Sequence, residues 1–243
     1  MHHGEAGRNR AWEFFDRIYC ISLHERADRR KQVKQEFAAV GLLDRVEFVL
    51  VDPHPENREQ GIFESHIHCL QKGLAAGART ILLFEDDVFF RGFNPRALAA
   101  ACDELAALPR WNAFFLGCIT SGSRRLTGGM LAAIRYRCLS HGYAVHRDFA
   151  EKIARETWQD IPYDTMLKHR TKDFYSLSPM CAFQGRSTTD NQTVAIDRLR
   201  RLLGGLPFLQ RVNEFYQNNK RLLLVTHLAG LGMIVYWWLH KGQ

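Results

Sequence analysis

The chain lacks most of the signatures that place a protein quickly. None of its six cysteines (Cys20, Cys69, Cys102, Cys118, Cys138 and Cys181) stands in C-x-x-C spacing, so no zinc ribbon or thioredoxin-like motif is readable. No internal repeat or low-complexity tract is present. Met1–Arg10 is polar and has no apolar h-region of a secretory signal, which predicts reduced cysteines and a cytoplasmic location. Charge is not extreme: 33 Lys+Arg stand against 26 Asp+Glu, a net +7. No basic stripe with interleaved aromatics runs along the chain, so a nucleic-acid partner is not expected. With 46% hydrophobic and 24% charged residues, a disordered chain, a collagen-like repeat and a polytopic membrane protein are excluded. What remains is 243 residues, enough for one domain with its own core and a further segment.

The charge is unevenly placed. Residues 186–243 hold eight basic residues against three acidic ones, a net +5, which leaves +2 for residues 1–185. The texture divides the chain into a flexible N-terminus (1–15), a folded domain (16–190) and a basic helical tail (191–243). In the tail, Val194, Ile196, Leu199, Leu202 and Leu203 recur near helical spacing, and Gly204-Gly205 and Pro207 are read as a break. Leu222–Leu239 then forms an apolar run whose one ionisable residue is His227. As a helix it is about 27 Å long, near the minimum for a bilayer. Lys220 and Arg221 flank one end, His240 and Lys241 the other, and Tyr236, Trp237 and Trp238 sit where an interfacial aromatic belt would lie. A buried core helix is the competing reading. A membrane contact places the protein at the cytoplasmic face, either peripheral or anchored by its C-terminal segment, with the +5 tail toward anionic lipid.

The domain reads as alternating strands and helices. Strands are predicted at Asp16–Leu23, Val46–Val51, Thr80–Phe84, Ala113–Leu116, Leu131–Leu139 and Tyr143–Val145. Helices are predicted at Asp28–Val40 with Asp28 as N-cap, at Ser65–Ala76, from Asn94-Pro95 to Leu108, and at Asp148–Thr157. Thr120–Gly129 reads as a polar loop, and the region punctuated by Pro162 and Pro179 as irregular. The alternation through residue 118 argues an α/β fold with a mixed, mostly parallel sheet flanked by helices.

Glu85-Asp86-Asp87 directly follows the apolar strand TILLF. Three adjacent carboxylates repel one another, and a hard cation such as Mg²⁺ or Mn²⁺ would relieve that cost. In extended backbone Glu85 and Asp87 point to one side, so the two can face one ion. Ligands bind at the C-terminal ends of strands in such sheets. A solvated turn with capping acids is the plainer alternative.

Several segments together resemble the family 25 glycosyltransferases, the lipopolysaccharide-type group that includes the collagen galactosyltransferases. Ile18–Leu23 followed by Arg26, Arg29 and Arg30 is similar to the family's opening strand and arginine-rich turn. Gly61 to Ser65-His66, Leu82–Val88, His141–Ala150, Ile161–Asp164, and Pro179 to Gln184 with Ser187 resemble later motifs, in the family's order. Arg58 and Glu64 depart from the pattern. The resemblance covers roughly residues 16–190. It implies a GT-A-like, inverting, metal-assisted transferase. Such an enzyme moves a hexose, galactosyl or glucosyl, from a nucleotide-diphosphate donor, a UDP-sugar first, to a hydroxyl of a cell-surface glycan acceptor. It assigns Glu85 and Asp87 to Mn²⁺ or Mg²⁺, with Asp86 on the nucleotide-sugar side and Asp87 catalytic. Ser22, Arg26, Arg29, Ser65, His66, His141 and Gln184 are candidate nucleotide-sugar contacts. His66 or His141 is also a candidate metal ligand or diphosphate donor, and Ser187 a candidate sugar or acceptor contact. Asp164 is the candidate general base. Structural roles compete at several of these positions: a salt-bridged helix start for the arginines, an N-cap for Asp164, a packed core residue for each histidine. Two other functions share the motifs: a non-catalytic glycan or nucleotide-sugar binding protein, and a metal-dependent hydrolase of a phosphorylated substrate.

Overall fold

The computed structural model describes residues 11–185 and 205–241. Ser187 and the helical run predicted at 194–203 lie outside the described residues. Strands β1 (Arg17–Leu23), β2 (Val46–Val51) and β3 (Thr80–Glu85) form a parallel set with β1 in the middle. β3 continues antiparallel to β8 (Gly142–His146), and the sheet extends through β5 (Ala113–Phe115), β9 (Phe174–Leu177) and β7 (Leu131–Cys138) to β6 (Ile119–Arg125). A separate two-stranded ribbon pairs β4 (Val88–Phe90) with β10 (Ala182–Gln184).

Helices cover both faces. Alternation along β3 sends Ile81 and Leu83 into one core and Leu82 and Phe84 into the other. The first core is covered by α2 (Arg58–Ala75), α4 (Arg147–Ile153) and α5 (Tyr163–Lys168), through Phe63, Ile67, Leu70, Phe149, Ile153 and Leu167. The second is covered by α1 (Ala27–Ala39) and α3 (Pro95–Ala107), through Val33, Phe37, Leu98 and Leu105. Phe37 is fully buried against Phe84, an arrangement contributing about 1.5–3 kcal/mol. Cys20, Cys69, Cys102, Cys118 and Cys181 are buried thiols outside any disulfide.

The sheet is less parallel than the alternation predicts. Four of the seven strand pairings in the main sheet are antiparallel, because β8 inserts antiparallel between β3 and β5, and the β6–β7 hairpin joins antiparallel to β9. Thr120–Gly129, predicted as a loop, largely forms β6. As the edge strand it tolerates polar side chains, and its pairing with β7 supplies the missing order. The segment between Pro162 and Pro179 contains α5 and β9.

Helix ends also differ. Arg26, not Asp28, is the N-cap of α1. Asp28 is instead bound by the Arg26 guanidinium at 3.0 and 2.9 Å, and this pairing holds its carboxyl well below the usual range. α2 begins at Arg58, seven residues before the predicted start, because the Asn57 side chain accepts from the backbone N–H groups of Glu59 and Gln60. Ser65 and His66 are therefore mid-helix. α4 ends at Ile153 rather than Thr157. Pro207 lies in the first turn of α6 (Gly205–His240), where its missing N–H has no intrahelical bond to break.

Candidate functional site

The C-terminal ends of β1 and β3 open into a cleft. One hollow, of about 310 Å³, is lined by residues that include Ser22, Arg29, Asp52, His54, Ser65, His66, Gln184 and all three acids of Glu85–Asp87. A second, of about 460 Å³, lies on the α1 side and shares Arg29, Asp86 and Asp87 with the first. The Asp86–Asp87 turn thus stands between two connected spaces. Eight of the eleven candidate residues line the first hollow, and Arg26 lines the second.

The strand ends with each acid in a different environment. Glu85 is on the α2 side. Its Oε1 accepts from the Ser140 hydroxyl at 3.3 Å and faces His66 Nε2 at 3.5 Å. Burial pushes its carboxyl up, and His66, His141 and Ser140 together more than offset this, leaving it below its ordinary value. Asp86 points toward β1 and α1. Its Oδ2 accepts from Ser22 Oγ at 2.6 Å and its Oδ1 pairs with Arg29 at 3.4 Å. Burial nevertheless leaves Asp86 above its usual value. Arg30 braces the same corner through Ser22 Oγ and the backbone carbonyls of Leu23 and His24.

Asp87 is held by the ribbon. Register pairs Gln184 with Val88, and Gln184 Nε2 donates to Asp87 Oδ2 at 3.1 Å. The Gly185 N–H donates to the Asp87 carbonyl at 2.6 Å. A Cβ at Gly185 would lie 2.8 Å from that oxygen, so the approach requires glycine. Burial, then the neighbouring Glu85 charge, pushes the Asp87 carboxyl up to about 7.

His141 and Asp164 line neither hollow. His141 is fully buried behind Glu85, whose N–H donates to the His141 carbonyl at 3.2 Å. Its ring nitrogens have no hydrogen-bond partner of ordinary geometry, and burial lowers its pKa although the Ala182 backbone and Glu85 oppose this. Asp164 accepts from the Tyr136 hydroxyl and, at 2.9 Å, from the Leu139 N–H. It ties α5 to the end of β7. Ser65 reaches the cavity but bonds its own helix at the Gly61 carbonyl, 2.6 Å away.

The sequence reading missed Ser140, Tyr143 and Tyr163. His66 Nδ1 lies 3.0 Å from the Tyr143 hydroxyl, which lies 2.7 Å from that of Tyr163. Asp52 and His54, which the sequence reading did not single out as site residues, line the cavity. No local signal marks these residues, since each reaches the site through a long-range contact.

Among the described residues no group of three or more His, Cys, Asp or Glu side chains is arranged to hold a metal. Mg²⁺ and Mn²⁺ are commonly bound by one or two carboxylates completed by phosphate oxygens and water. Glu85 and Asp87, close enough for one charge to raise the other's pKa, fit a hard cation on those terms.

The fold and cleft define a mixed α/β protein whose acidic turn closes a parallel strand. No family model matches the chain, and no curated protein matches it. Solved structures share parts of the fold. The A197 protein from STIV is 16% identical over 70% of this chain and 86% of its own, with a TM-score of 0.45. A glycosyltransferase involved in the glycosylation of the major capsid of PBCV-1 is 13% identical over 56% and 63%, with a TM-score of 0.35. A glucose-1-phosphate thymidylyltransferase from Bacillus anthracis is 11% identical over 82% and 76%, at 0.41. With these identities and TM-scores, none bears on what the site does.

Proposed function

We propose that the chain is a glycosyltransferase using a nucleotide-diphosphate sugar, inverting and metal-assisted, as its resemblance to family 25 implies. The observation that carries this reading is the pairing in one cleft of an acidic strand end with arginines from the β1–α1 turn. Arg29 and Arg26 present guanidinium groups suited to phosphate oxygens. Glu85 and Asp87 would hold Mn²⁺ or Mg²⁺, which when bound supplies Lewis-acid stabilisation of a departing diphosphate. Asp86, pinned by Ser22 and Arg29, sets the geometry of the turn and offers an acceptor to a ribose. Gln184 holds Asp87 in place against the ribbon. The general base belongs to a group that faces the cavity, since both Asp164 oxygens are engaged elsewhere.

The test is a screen of nucleotide-sugars, UDP-sugars first, with Mn²⁺ and with chelator, read as nucleotide diphosphate release. Metal-dependent release that is lost in Asp87→Ala supports the reading. Unchanged turnover in Asp87→Ala removes that residue from the chemistry. No binding of any donor in calorimetry with Mn²⁺ leaves a non-catalytic protein, and release of free sugar with every acceptor tried leaves a hydrolase.

The distal part of α6 supports a second part of the reading, contact with the cytoplasmic face of a membrane. By length and composition α6 can cross a bilayer, and from Leu222 to Leu239 its large apolar side chains include many that are more than half exposed. A glycan acceptor carried on lipid would then be brought to the cleft. Full-length chain that fractionates as soluble without detergent would count against the membrane contact.

A further inference from the structure

Behind Glu85 runs a buried chain of polar groups that no step above uses. Tyr163, Tyr143 and His66 are each at most 1% exposed. Their polar atoms lie in series: Tyr163 hydroxyl to Tyr143 hydroxyl at 2.7 Å, Tyr143 hydroxyl to His66 Nδ1 at 3.0 Å, and His66 Nε2 to Glu85 Oε1 at 3.5 Å. The imidazole stacks on the Tyr163 ring with centroids 4.3 Å apart and planes 16° from parallel, so its orientation is set by packing.

Hydrogen positions follow from donor and acceptor matching. If Nδ1 carried the proton of a neutral ring, Nε2 would turn a lone pair toward a carboxylate oxygen, acceptor against acceptor in a buried place. With the proton on Nε2, that clash is removed. Tyr163 donates to Tyr143, Tyr143 donates to Nδ1, and Nε2–H points at Oε1. Burial keeps both phenols protonated and able to donate. The Ser140 hydroxyl also donates to Oε1, so both contacts fall on one carboxylate oxygen.

We propose that His66 is a positioning residue, oriented by Tyr143 and Tyr163 so that an Nε2–H faces Glu85 Oε1, steadies that carboxylate and leaves Oε2 to the cavity. The inference rests on the reading of Glu85 as a ligand group. The 3.5 Å separation is long for a hydrogen bond, and such contacts often tighten when a ligand is bound. Partners that orient metal-binding groups typically cost 10–100-fold in affinity when removed.

The test is long-range ¹H–¹⁵N NMR of the full-length chain labelled at histidine, with the His66 signals assigned by their loss in His66→Gln. The expected result is a proton on Nε2 in the wild type and, in Tyr143→Phe, an Nδ1 signal moved downfield by loss of its hydrogen bond. Mn²⁺ affinity is expected to fall roughly 10-fold in the same variant. Tyr163→Phe, which keeps the donor next to the ring, is expected to have the smaller effect on both readouts. A wild-type ring with no proton on Nε2 overturns the proposal, as does a Tyr143→Phe chain whose Nδ1 signal and Mn²⁺ affinity are both unchanged. If Tyr143→Phe does not fold, the wild-type tautomer and Tyr163→Phe still decide. A wild type that binds no Mn²⁺ yet shows the Nε2–H ring removes the metal reading of Glu85 and leaves the tautomer relay standing.

Discussion

At the scale of single residues, Asp87 and Asp164 sit in different surroundings. Asp87 has a carboxyl raised to about 7 against an ordinary 3.8. The folded chain therefore keeps that proton where the unfolded chain has lost it. From about pH 4 to about pH 7 the folded state binds more protons, so this group's contribution to stability falls as pH rises through that window. A divalent cation favours the carboxylate and reverses the trend. Melting temperatures at about pH 5 and about pH 7.5 are expected to show a larger Mn²⁺ stabilisation at the higher pH, with Asp87→Asn flattening the difference. Asp164 is expected to behave otherwise. Asp164→Asn disturbs its bonds to Tyr136 and Leu139, so denaturant unfolding should show a loss of about 1–3 kcal/mol, while any donor turnover persists. Loss of turnover with unchanged stability would return Asp164 to the chemistry.

At the scale of elements, α2 shows how a cap sets the site. Asn57 starts the helix seven residues before the apolar periodicity becomes clear, which brings Ser65 and His66 round to the cavity from mid-helix. Asn57→Ala should cost about 1 kcal/mol in denaturant unfolding. Asp28→Ala, at an exposed carboxylate that is not the N-cap and pairs with Arg26, should cost much less. The β4–β10 ribbon does comparable work for Asp87. Gln184→Ala should weaken Mn²⁺ binding without altering the strand register, checked by calorimetry beside far-UV circular dichroism.

At the scale of the molecule, α6 has two halves with different partners. Its first turns dock on the domain through polar side chains. Gln210 donates to the Ala182 carbonyl at 2.9 Å, Asn213 bonds Thr120 N–H and C=O at 2.9 Å each, Glu214 accepts from the Met180 N–H at 2.9 Å, and Asn218 meets Ser123 at 2.8 Å. Beyond Asn219 the helix leaves the domain and stays apolar and exposed. A chain ended after Asn219 keeps all these docking contacts and should partition to the soluble fraction with its melting temperature little changed, whereas the full chain should need detergent. Equal partitioning of the two would argue that Leu222–Leu239 meets something other than lipid.

Much of this was legible in the residues because it is local. Alternating apolar strands, the Asn94-Pro95 helix start and the acids ending TILLF depend on neighbours a few positions away, and they appear where the periodicity places them. Glu85, Asp86 and Asp87 line one hollow with Ser22, Arg29 and Gln184. The polar edge strand β6 was not legible, because its order comes from pairing with β7 rather than from its own composition. Nor were the Tyr163–Tyr143–His66 series, in which His66 meets Tyr143 77 positions away, and the surroundings of Asp164, whose partners Tyr136 and Leu139 lie 28 and 25 positions away. The sequence by itself determined the α/β layering, the acidic strand end and the apolar basic tail, since hydrophobic period and charge density are properties of short windows. Only the tertiary structure decided which acid faces which partner, because that depends on how α1, α2 and the β4–β10 ribbon converge on the end of one strand.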